Sequence, residues 1–356
     1  MVLQIGAMLR LQAFLFLLAS LVALEGQGLP YLDQIEVIDW KVTNSEPAGT
    51  FETAVSALRF EPRVDLQARN LGEAQADIAI RGGIFETTSF RLGNVSILDP
   101  QTGHYIGELP VHPAMLSTPE VLTGLENAAV ALNTSVGTIS QEWTPVRNQS
   151  LLSGGVGTDD LWTLEGFTGW RAEGETGWGA EVGASASESK GTLAEGEHAF
   201  SRYSGRLQYR GAQSQTDLVA GYQGKYFQWP YLYALETLKD VLGSRGIETE
   251  NLQTQLFLLQ HRQEGETWGW QGSVFFRKNR DDYEFDIDRP GLFNAYEHET
   301  KVYGAAWSGH WDWQNGFSLR GYGQVQGDSI DSTALVFGPF SSRTLAHLAV
   351  LPQYAW

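Results

Sequence analysis

The sequence contains no cysteine, so disulfide bonds and thiolate metal sites are excluded. It is also poor in basic residues: 24 lysines and arginines stand against 42 aspartates and glutamates, which gives a formal charge of −18. This balance, without any basic cluster, argues against a nucleic-acid partner, whose phosphates need clustered positive charge. Sequence signatures of serine hydrolases, zinc proteases and phosphate-binding loops are missing too. The seven histidines show no metal-ligand spacing. We therefore predict no enzyme activity.

Long apolar runs are equally scarce. Only residues 11–23 form one, with Arg10 before it and Gly26 and Gly28 after it. A run of about 13 residues is short for a membrane-spanning helix and typical of a secretory signal peptide. We assign the signal peptide to residues 1–28. Because no later segment holds about 18 consecutive apolar residues, a chain inserted in a membrane has to span it with β-strands.

Glycine and aromatic residues are abundant: there are 40 glycines, 12 tryptophans, 13 tyrosines and 17 phenylalanines. The mean hydropathy is nevertheless slightly negative. Many aromatics without long apolar runs suit a membrane β-barrel, in which alternate residues face lipid and water. A soluble all-β protein rich in aromatic residues is the alternative that composition leaves open.

Residues 148–356 follow this barrel pattern. Within residues 203–210, for example, the odd positions are aromatic, aliphatic or glycine, whereas the even positions are polar or charged. Connections of two lengths alternate along the chain, short near residues 171–174, 211–213, 263–265 and 314–316, and long near residues 189–197, 228–249, 286–297 and 331–342. Short turns on one side of a membrane and long loops on the other are typical of outer-membrane barrels, and we count about ten strands.

Residues 50–147 predict a compact mixed α/β unit. Apolar residues at helical spacing indicate a helix over residues 51–58, which ends near Pro62. Alternating residues indicate strands over residues 64–67 and 77–81, and another from about residue 90 to residue 97. A turn-rich loop follows at residues 99–103.

Three stretches of this unit resemble the plug domain of TonB-dependent outer-membrane receptors. They are residues 76–83 (ADIAIRGG), residues 95–105 and residues 119–124 (PEVLTG). Two departures stand out: Thr123 occupies a position where the family has arginine, and residues 131–139 lack the usual run of glycines. The matching plug residues are Arg81, Gly82, Gly83, Asp99, Pro100, Gly103, Glu120 and Gly124.

The resemblance implies an α+β plug followed by antiparallel transmembrane β-barrel strands, about ten of an expected twenty-two, so that the barrel is apparently truncated. It implies a location in the Gram-negative outer membrane with the plug reaching the periplasm. Outer-membrane lipid surrounds the barrel, and a small scarce nutrient, a metal chelate or a cobalamin-like molecule, is the ligand. The alternative is a small outer-membrane barrel enzyme or adhesin without TonB coupling.

The resemblance also implies an N-terminal partner segment within residues 29–49. This segment looks like the TonB box, which engages the energy-transducing TonB complex by adding a strand to its sheet. An ordinary edge strand is the other interpretation of the alternating apolar and acidic residues. The five residues concerned are Ile35, Glu36, Val37, Ile38 and Asp39.

Two charged features have two interpretations each. Arg81 either anchors the plug through carboxylates of the barrel wall, because a buried arginine needs partners, or it is a solvated surface residue. An acidic run near an external loop either holds Ca²⁺ through carboxylate oxygens or is a solvated loop. Its residues are Asp282, Glu284, Asp286 and Asp288.

Overall fold

The computed structural model describes residues 53, 55–59, 61–69, 75–230, 247–290, 295–313, 316–334 and 340–354. The predicted signal peptide and the segment over residues 35–39 lie outside these ranges.

The first part of the described chain is the plug unit, which holds two small sheets. A two-stranded antiparallel sheet pairs β1 with β2, and a four-stranded sheet has the order β4-β3-β6-β5. One α-helix, α1, and three short 3₁₀ turns complete the unit. The bounds are β1 Val64–Arg69, β2 Gln75–Ile80, β3 Thr88–Leu92, β4 Val95–Ile97, β5 Glu120–Leu122, α1 Leu125–Val130 and β6 Gly137–Gln141, with 3₁₀ turns at Ser56–Leu58, Phe85–Thr87 and Pro113–Met115.

The plug unit has its own apolar core, formed by alternate residues of its strands. Ile78, Ile80, Phe90 and Ile139 are all fully buried. Burial of each such side chain stabilises the fold by roughly 1.5–3 kcal/mol. β3 runs parallel to β6 and antiparallel to β4, which places Phe90 beside Ile139 at the centre of the sheet.

Two predicted elements of the plug unit differ in the structure. The helix predicted over residues 51–58 is, in its described part, a single 3₁₀ turn at Ser56–Leu58, because Arg59 already has extended backbone. The strand predicted over residues 90–97 is two strands, because Gly93 has a φ of +56° and the chain reverses at this point. Helix α1 has no counterpart among the predicted elements.

The second part of the described chain is one ten-stranded antiparallel sheet, in which strands β7 to β16 follow one another in sequence order. The number of strands confirms the prediction. Their bounds are β7 Gln149–Val156, β8 Trp162–Arg171, β9 Gly177–Ser189, β10 His198–Arg210, β11 Ser214–Pro230, β12 Ile247–Glu264, β13 Trp268–Glu284, β14 Tyr296–Asp312, β15 Phe317–Ser332 and β16 Ser342–Tyr354.

The connections alternate in length as the sequence predicts. Short turns occupy residues 172–176, 211–213, 265–267 and 313–316, and the connections at the opposite edge include residues 190–197, 285–295 and 333–341. We call the two edges the short-turn edge and the long-loop edge. No helix among the described residues is long and apolar enough to span a bilayer.

The two faces of the sheet differ in chemistry. Large apolar side chains are exposed on the outer face, for example Leu218, Phe257 and Val274. Aromatic residues mark the short-turn edge, where the strands begin or end: they are Trp170, Trp178, Tyr209, Trp268, Trp311, Trp313 and Tyr354. A belt of this kind is typical of the level at which lipid headgroups meet the hydrocarbon core.

The inner face of the sheet packs against the plug unit. Its apolar patch, which includes Val219, Leu256, Leu258 and Phe275, belongs to the same buried cluster as the core of the plug unit. Contacts with the plug unit extend from β8 to β16. Phe167 on β8 stacks on His112, and Nε2 of His347 on β16 lies 2.8 Å from the carbonyl oxygen of Ala129. The sheet therefore curves around the plug unit.

Candidate functional site

The loop that follows β4 is organised by one carboxylate. Asp99 accepts hydrogen bonds from the backbone N–H groups of Gln101 (3.2 Å), Thr102 (3.3 Å), Gly103 (2.8 Å) and Tyr105 (3.4 Å). Gly103 has a φ of +82°, a conformation that residues with a Cβ rarely adopt. The sequence Asp-Pro-Gln-Thr-Gly is thus a structural device that fixes the shape of this loop.

The same loop is joined to the barrel wall by a buried network around Tyr105. The Tyr105 hydroxyl lies 2.7 Å from a carboxylate oxygen of Glu250 and 2.9 Å from one of Asp281, so its single hydrogen is shared between them, and the Gln101 amide donates to Asp281 (2.9 Å). Arg277 donates to the carbonyl oxygen of Tyr105 at 2.7 Å. Burial, and then the two nearby carboxylates, raise the pKa of Tyr105 well above its usual value of 10.0. The phenol therefore stays protonated and remains a donor.

A cavity of about 350 Å³, which we call the outer cavity, opens beside this network. From the wall it is lined by residues at the long-loop ends of β12, β13 and β14. Its volume lies in the range of small-molecule sites. The lining residues are Gln101, Thr102, His104 and Tyr105 of the plug unit, and Glu250, Asp281, Tyr283, Phe285, Tyr296 and His298 of the wall and its loop.

A second cavity of about 480 Å³, the side cavity, lies on the other flank of the loop. It shares Gln101, Thr102 and His104 with the outer cavity and adds the carboxylates of Glu86 and Asp99 and the guanidinium of Arg343 on β16, which pairs with Asp328 at 2.8 Å. The loop over residues 99–105 thus separates two openings at the long-loop edge.

The turn between β3 and β4 is docked deeper in the sheet. Asn94 donates to the carbonyl oxygen of Gln271 (3.0 Å) and accepts from Gln260 (3.2 Å) and Ser273 (2.5 Å). Gly93 has a φ of +56°, which favours glycine, and a Cβ there would lie 2.6 Å from the Gln260 amide nitrogen and would displace that side chain.

One wall side chain makes the hydrogen bonds to the backbone of β4 that a neighbouring strand would otherwise make. The amide of Gln324 on β15 accepts from the Ser96 N–H and donates to the Ser96 carbonyl oxygen, both at 2.8 Å. Both partners are buried. One side chain therefore satisfies two backbone groups that burial would otherwise leave unpaired.

Buried charges join the plug unit to the wall further along the chain. Lys225 donates to Glu108 at 2.8 Å, and Gln223 donates to the same carboxylate. Nε2 of His112 lies 2.8 Å from Glu165, while its Nδ1 accepts from the backbone N–H of Ala114. Burial lowers the pKa of His112 from its usual value of 6.5, so the ring is neutral at pH 7.

Two glycines of the wall allow the plug backbone to approach closely. A Cβ on Gly221 would lie 1.9 Å from the carbonyl oxygen of Pro110, and a Cβ on Gly183 would lie 2.6 Å from the ring of His112. Pro110 and His112 therefore approach the wall at two positions that have no side chain.

The predicted plug residues lie apart from this site, with the exception of those in the loop over residues 99–103. Arg81 is exposed among the described residues, and its interpretation as an anchor in the barrel wall stays a prediction. It has a φ of +49° and forms a turn with Gly82, whose φ is +73°. Gly83 packs closely on Val136, Glu120 lies in β5, and Gly124 precedes α1 with a φ of +61°.

The acidic run does not form a cation site. Asp282 pairs with Arg280 at 3.1 Å, and Asp286 pairs with Arg289 at 2.9 Å. Glu284 ends β13 and Asp288 is exposed in the loop beyond it. In the described parts of the chain, no group of three or more His, Asp or Glu side chains is placed to hold a metal ion. The calcium interpretation is therefore wrong for these residues.

Sequence reasoning did not find the residues that do come together. Tyr105 meets Asp281 across 176 positions of sequence. The one available signal was the inward position of each wall residue: Glu250 and Asp281 lie on the plug-facing side of β12 and β13, where a charge needs a partner.

No protein-family model and no curated protein matches the chain. Solved structures do. The ferripyoverdine receptor of the outer membrane of Pseudomonas aeruginosa has a TM-score of 0.61 at 12% identity, with 85% of this chain and 45% of that chain covered. The FrpB iron transporter from Neisseria meningitidis has a TM-score of 0.62 at 11% identity, with 82% and 48% covered.

A mutant of the ferric enterobactin receptor PfeA from Pseudomonas aeruginosa gives a TM-score of 0.60 at 13% identity, with 84% of this chain and 52% of that chain covered. At such identities the likeness concerns the fold. The chain spans about half the length of the solved structures that it matches.

Proposed function

We propose that this chain, which has the fold of the TonB-dependent outer-membrane receptors, serves the energy-coupled uptake of a scarce nutrient. We divide the chain into a signal peptide (residues 1–28), a partner segment with linker (29–49), a plug (50–147) and the strands of a partial barrel (148–356). Proteins of this fold that resemble it are receptors and transporters, so transport rather than enzyme activity is the proposed role.

The observation that carries this proposal is the way in which the plug unit meets the wall. The unit covers the inner face of the sheet from β8 to β16 and leaves cavities at the long-loop edge. In an outer membrane, long loops face the outside and short turns face the periplasm. A ligand arriving from outside therefore meets the loop over residues 99–105 first, before it can pass the plug.

The contacts between plug and wall suit a plug that moves. Asn94, Ser96, Glu108 and His112 are held by hydrogen bonds and ion pairs with polar wall side chains. A neutral hydrogen bond contributes only about 0.5–1.5 kcal/mol and one to a charged group about 1.5–3 kcal/mol, because water replaces each bond that is lost. Force applied at the N-terminal segment through TonB, driven by the proton-motive force of the inner membrane, can then rearrange the plug.

The proposed ligand is a small nutrient such as a metal chelate or a cobalamin-like molecule. The named ligands of the similar structures are iron complexes, ferripyoverdine and ferric enterobactin. For this chain the cavity dimensions fit a small molecule.

The experiment addresses the partner segment at Ile35 to Asp39. Because the sequence has no cysteine, Val37→Cys supplies a unique thiol. We expect it to form a disulfide with single-cysteine variants of the TonB protein in intact cells, because strand addition brings two backbones within about 5 Å of each other. Deletion of residues 35–39 should abolish uptake of the nutrient.

The matched controls lie a few residues further along the same segment. Thr43→Cys should give no cross-link, and deletion of residues 41–45 should preserve uptake. Equal cross-linking at positions 37 and 43, or undiminished uptake without residues 35–39, would contradict coupling through TonB and would favour the alternative, a barrel enzyme or adhesin.

A further inference from the structure

We propose that the outer cavity binds a ligand through an organic cationic group that carries N–H donors, such as an amine or a guanidine. This inference rests on the proposed function and adds the charge of the ligand to it. The cavity joins two carboxylates to a wall of aromatic rings.

The first observation is the charge of the lining. Glu250 and Asp281 are 2% and 3% exposed, and no lysine or arginine is among the ten residues that line the cavity. On the inner face of β13, the arginine nearest in sequence to Asp281 is Arg277. It is buried, and its guanidinium donates to the carbonyl oxygen of Tyr105. An anionic ligand would meet two carboxylates at this site without a counter-charge in the lining.

The second observation is an acceptor that is still available. Oδ2 of Asp281 accepts from Gln101 and Tyr105, but its Oδ1 is buried without a hydrogen-bond partner among the described residues. A buried carboxylate oxygen without a partner is costly, and a charged donor is its strongest partner. A cationic N–H group in the cavity supplies that donor.

The third observation is the arrangement of the aromatic rings. Phe285 packs edge-to-face on Tyr283 with ring centroids 4.9 Å apart and on Tyr296 at 5.0 Å. Tyr296 is 40% exposed and stands near His298, with centroids 5.9 Å apart. Aromatic faces attract cations within about 6 Å of the ring centroid, and this attraction is stronger where water is excluded.

Two other ligand classes fit less well. A bare metal ion needs several converging ligand atoms, and the described residues provide no such group. An anionic ligand would meet Glu250 and Asp281 in the outer cavity, whose lining holds no lysine or arginine.

The experiment uses the protein as its own gene encodes it, extracted from the outer membrane into detergent. Binding of benzylammonium is compared with that of its neutral analogue benzyl alcohol and of the anion phenylmethanesulfonate, by saturation-transfer NMR. We expect the cation to bind at least about tenfold more tightly than either, and Asp281→Asn to remove about tenfold of that affinity, a loss of roughly 1.4 kcal/mol.

The matched control is Asp282→Asn, which changes the neighbouring aspartate on the opposite face of β13. This variant should bind the cation within about twofold of the original affinity. Should Asp281→Asn fail to fold, Tyr296→Leu at the exposed rim tests the same cavity by removing an aromatic face. Equal affinities for the three probes, or equal losses with Asp281→Asn and Asp282→Asn, would overturn the inference.

The outcome is separable from that of the proposed function. Binding in detergent does not require TonB, whereas cross-linking at position 37 does not require the ligand. An absent charge preference together with a cross-link at position 37 rejects the cationic ligand and keeps the receptor. A clear charge preference without a cross-link at position 37 keeps the cationic ligand and rejects coupling through TonB.

Discussion

At the scale of single residues, the fit between plug and wall depends on positions that have no side chain. Gly183 and Gly221 face the plug unit, and each of them meets an atom of residues 110–112 at a distance that no Cβ tolerates. Glycine is costly in a strand, since it lowers β-propensity and adds backbone entropy to the unfolded chain. Its presence here is explained by the close approach of the plug backbone.

We therefore predict that Gly221→Ala destabilises the docked plug. The added methyl group would lie 1.9 Å from the carbonyl oxygen of Pro110, so the backbone has to shift. Overpacking of this kind costs about 1–3 kcal/mol. The measurement is the urea midpoint of tryptophan fluorescence, with entry of vancomycin into cells as a report of an ill-fitting plug.

The control is Gly205→Ala on the outer face of the neighbouring strand, where the nearest atom to the new Cβ lies 3.8 Å away. This variant should keep both the midpoint and the vancomycin barrier. Equal effects of the two alanines would mean that the plug backbone does not rest on Gly221.

At the scale of elements, the two short strands after residue 88 are held by side chains of the wall. Gln324 satisfies both backbone groups of Ser96, so we predict that Gln324→Leu leaves a buried N–H and a buried C=O unpaired. Each such group costs about 1–3 kcal/mol. Limited proteolysis should then cleave the plug unit faster than in the original protein.

Gln255→Leu is the matched change on the outer side of β12, away from the plug unit, and it should leave the rate of cleavage unchanged. If the two leucine variants are cleaved at the same rate, the hydrogen bonds between Gln324 and Ser96 contribute nothing to docking of the plug unit.

The elements also show what the sequence can reveal. The ten strands were predictable because period-two alternation is a local property, visible within each run. The break between β3 and β4 was missed, although Gly93 and Asn94 carry a turn signal, because apolar residues continue on both sides. Helix α1 was missed because six residues give less than two turns of periodicity.

The site was less predictable than the fold, for a physical reason. The loop over residues 99–103 could be recognised because Asp99 bonds to backbone groups within six positions. The partners of Tyr105 are 145 and 176 positions away, so only the register of β12 and β13 brings them together. The role of Arg81 was left open because its motif does not reveal whether its side chain points inward.

At the scale of the whole molecule, the sheet has a polar inner face, an apolar outer face and two terminal strands. β7 and β16 end the strand order, and among the described residues they do not pair with each other. All eight residues of β7 are exposed. In a bilayer each unpaired backbone group costs several kcal/mol, so an open edge is not tolerated there.

We therefore predict that residues 1–356, expressed on their own, give no heat-modifiable band in outer-membrane fractions, because β7 and β16 each pair with only one strand among the described residues. The measurement compares heated and unheated samples on SDS gels, with a complete receptor of the same host as the positive control. A heat-modifiable band at the size of one chain would mean that β7 and β16 close on each other. A band at twice that size would mean that a second copy supplies the missing edges, and either result contradicts the prediction.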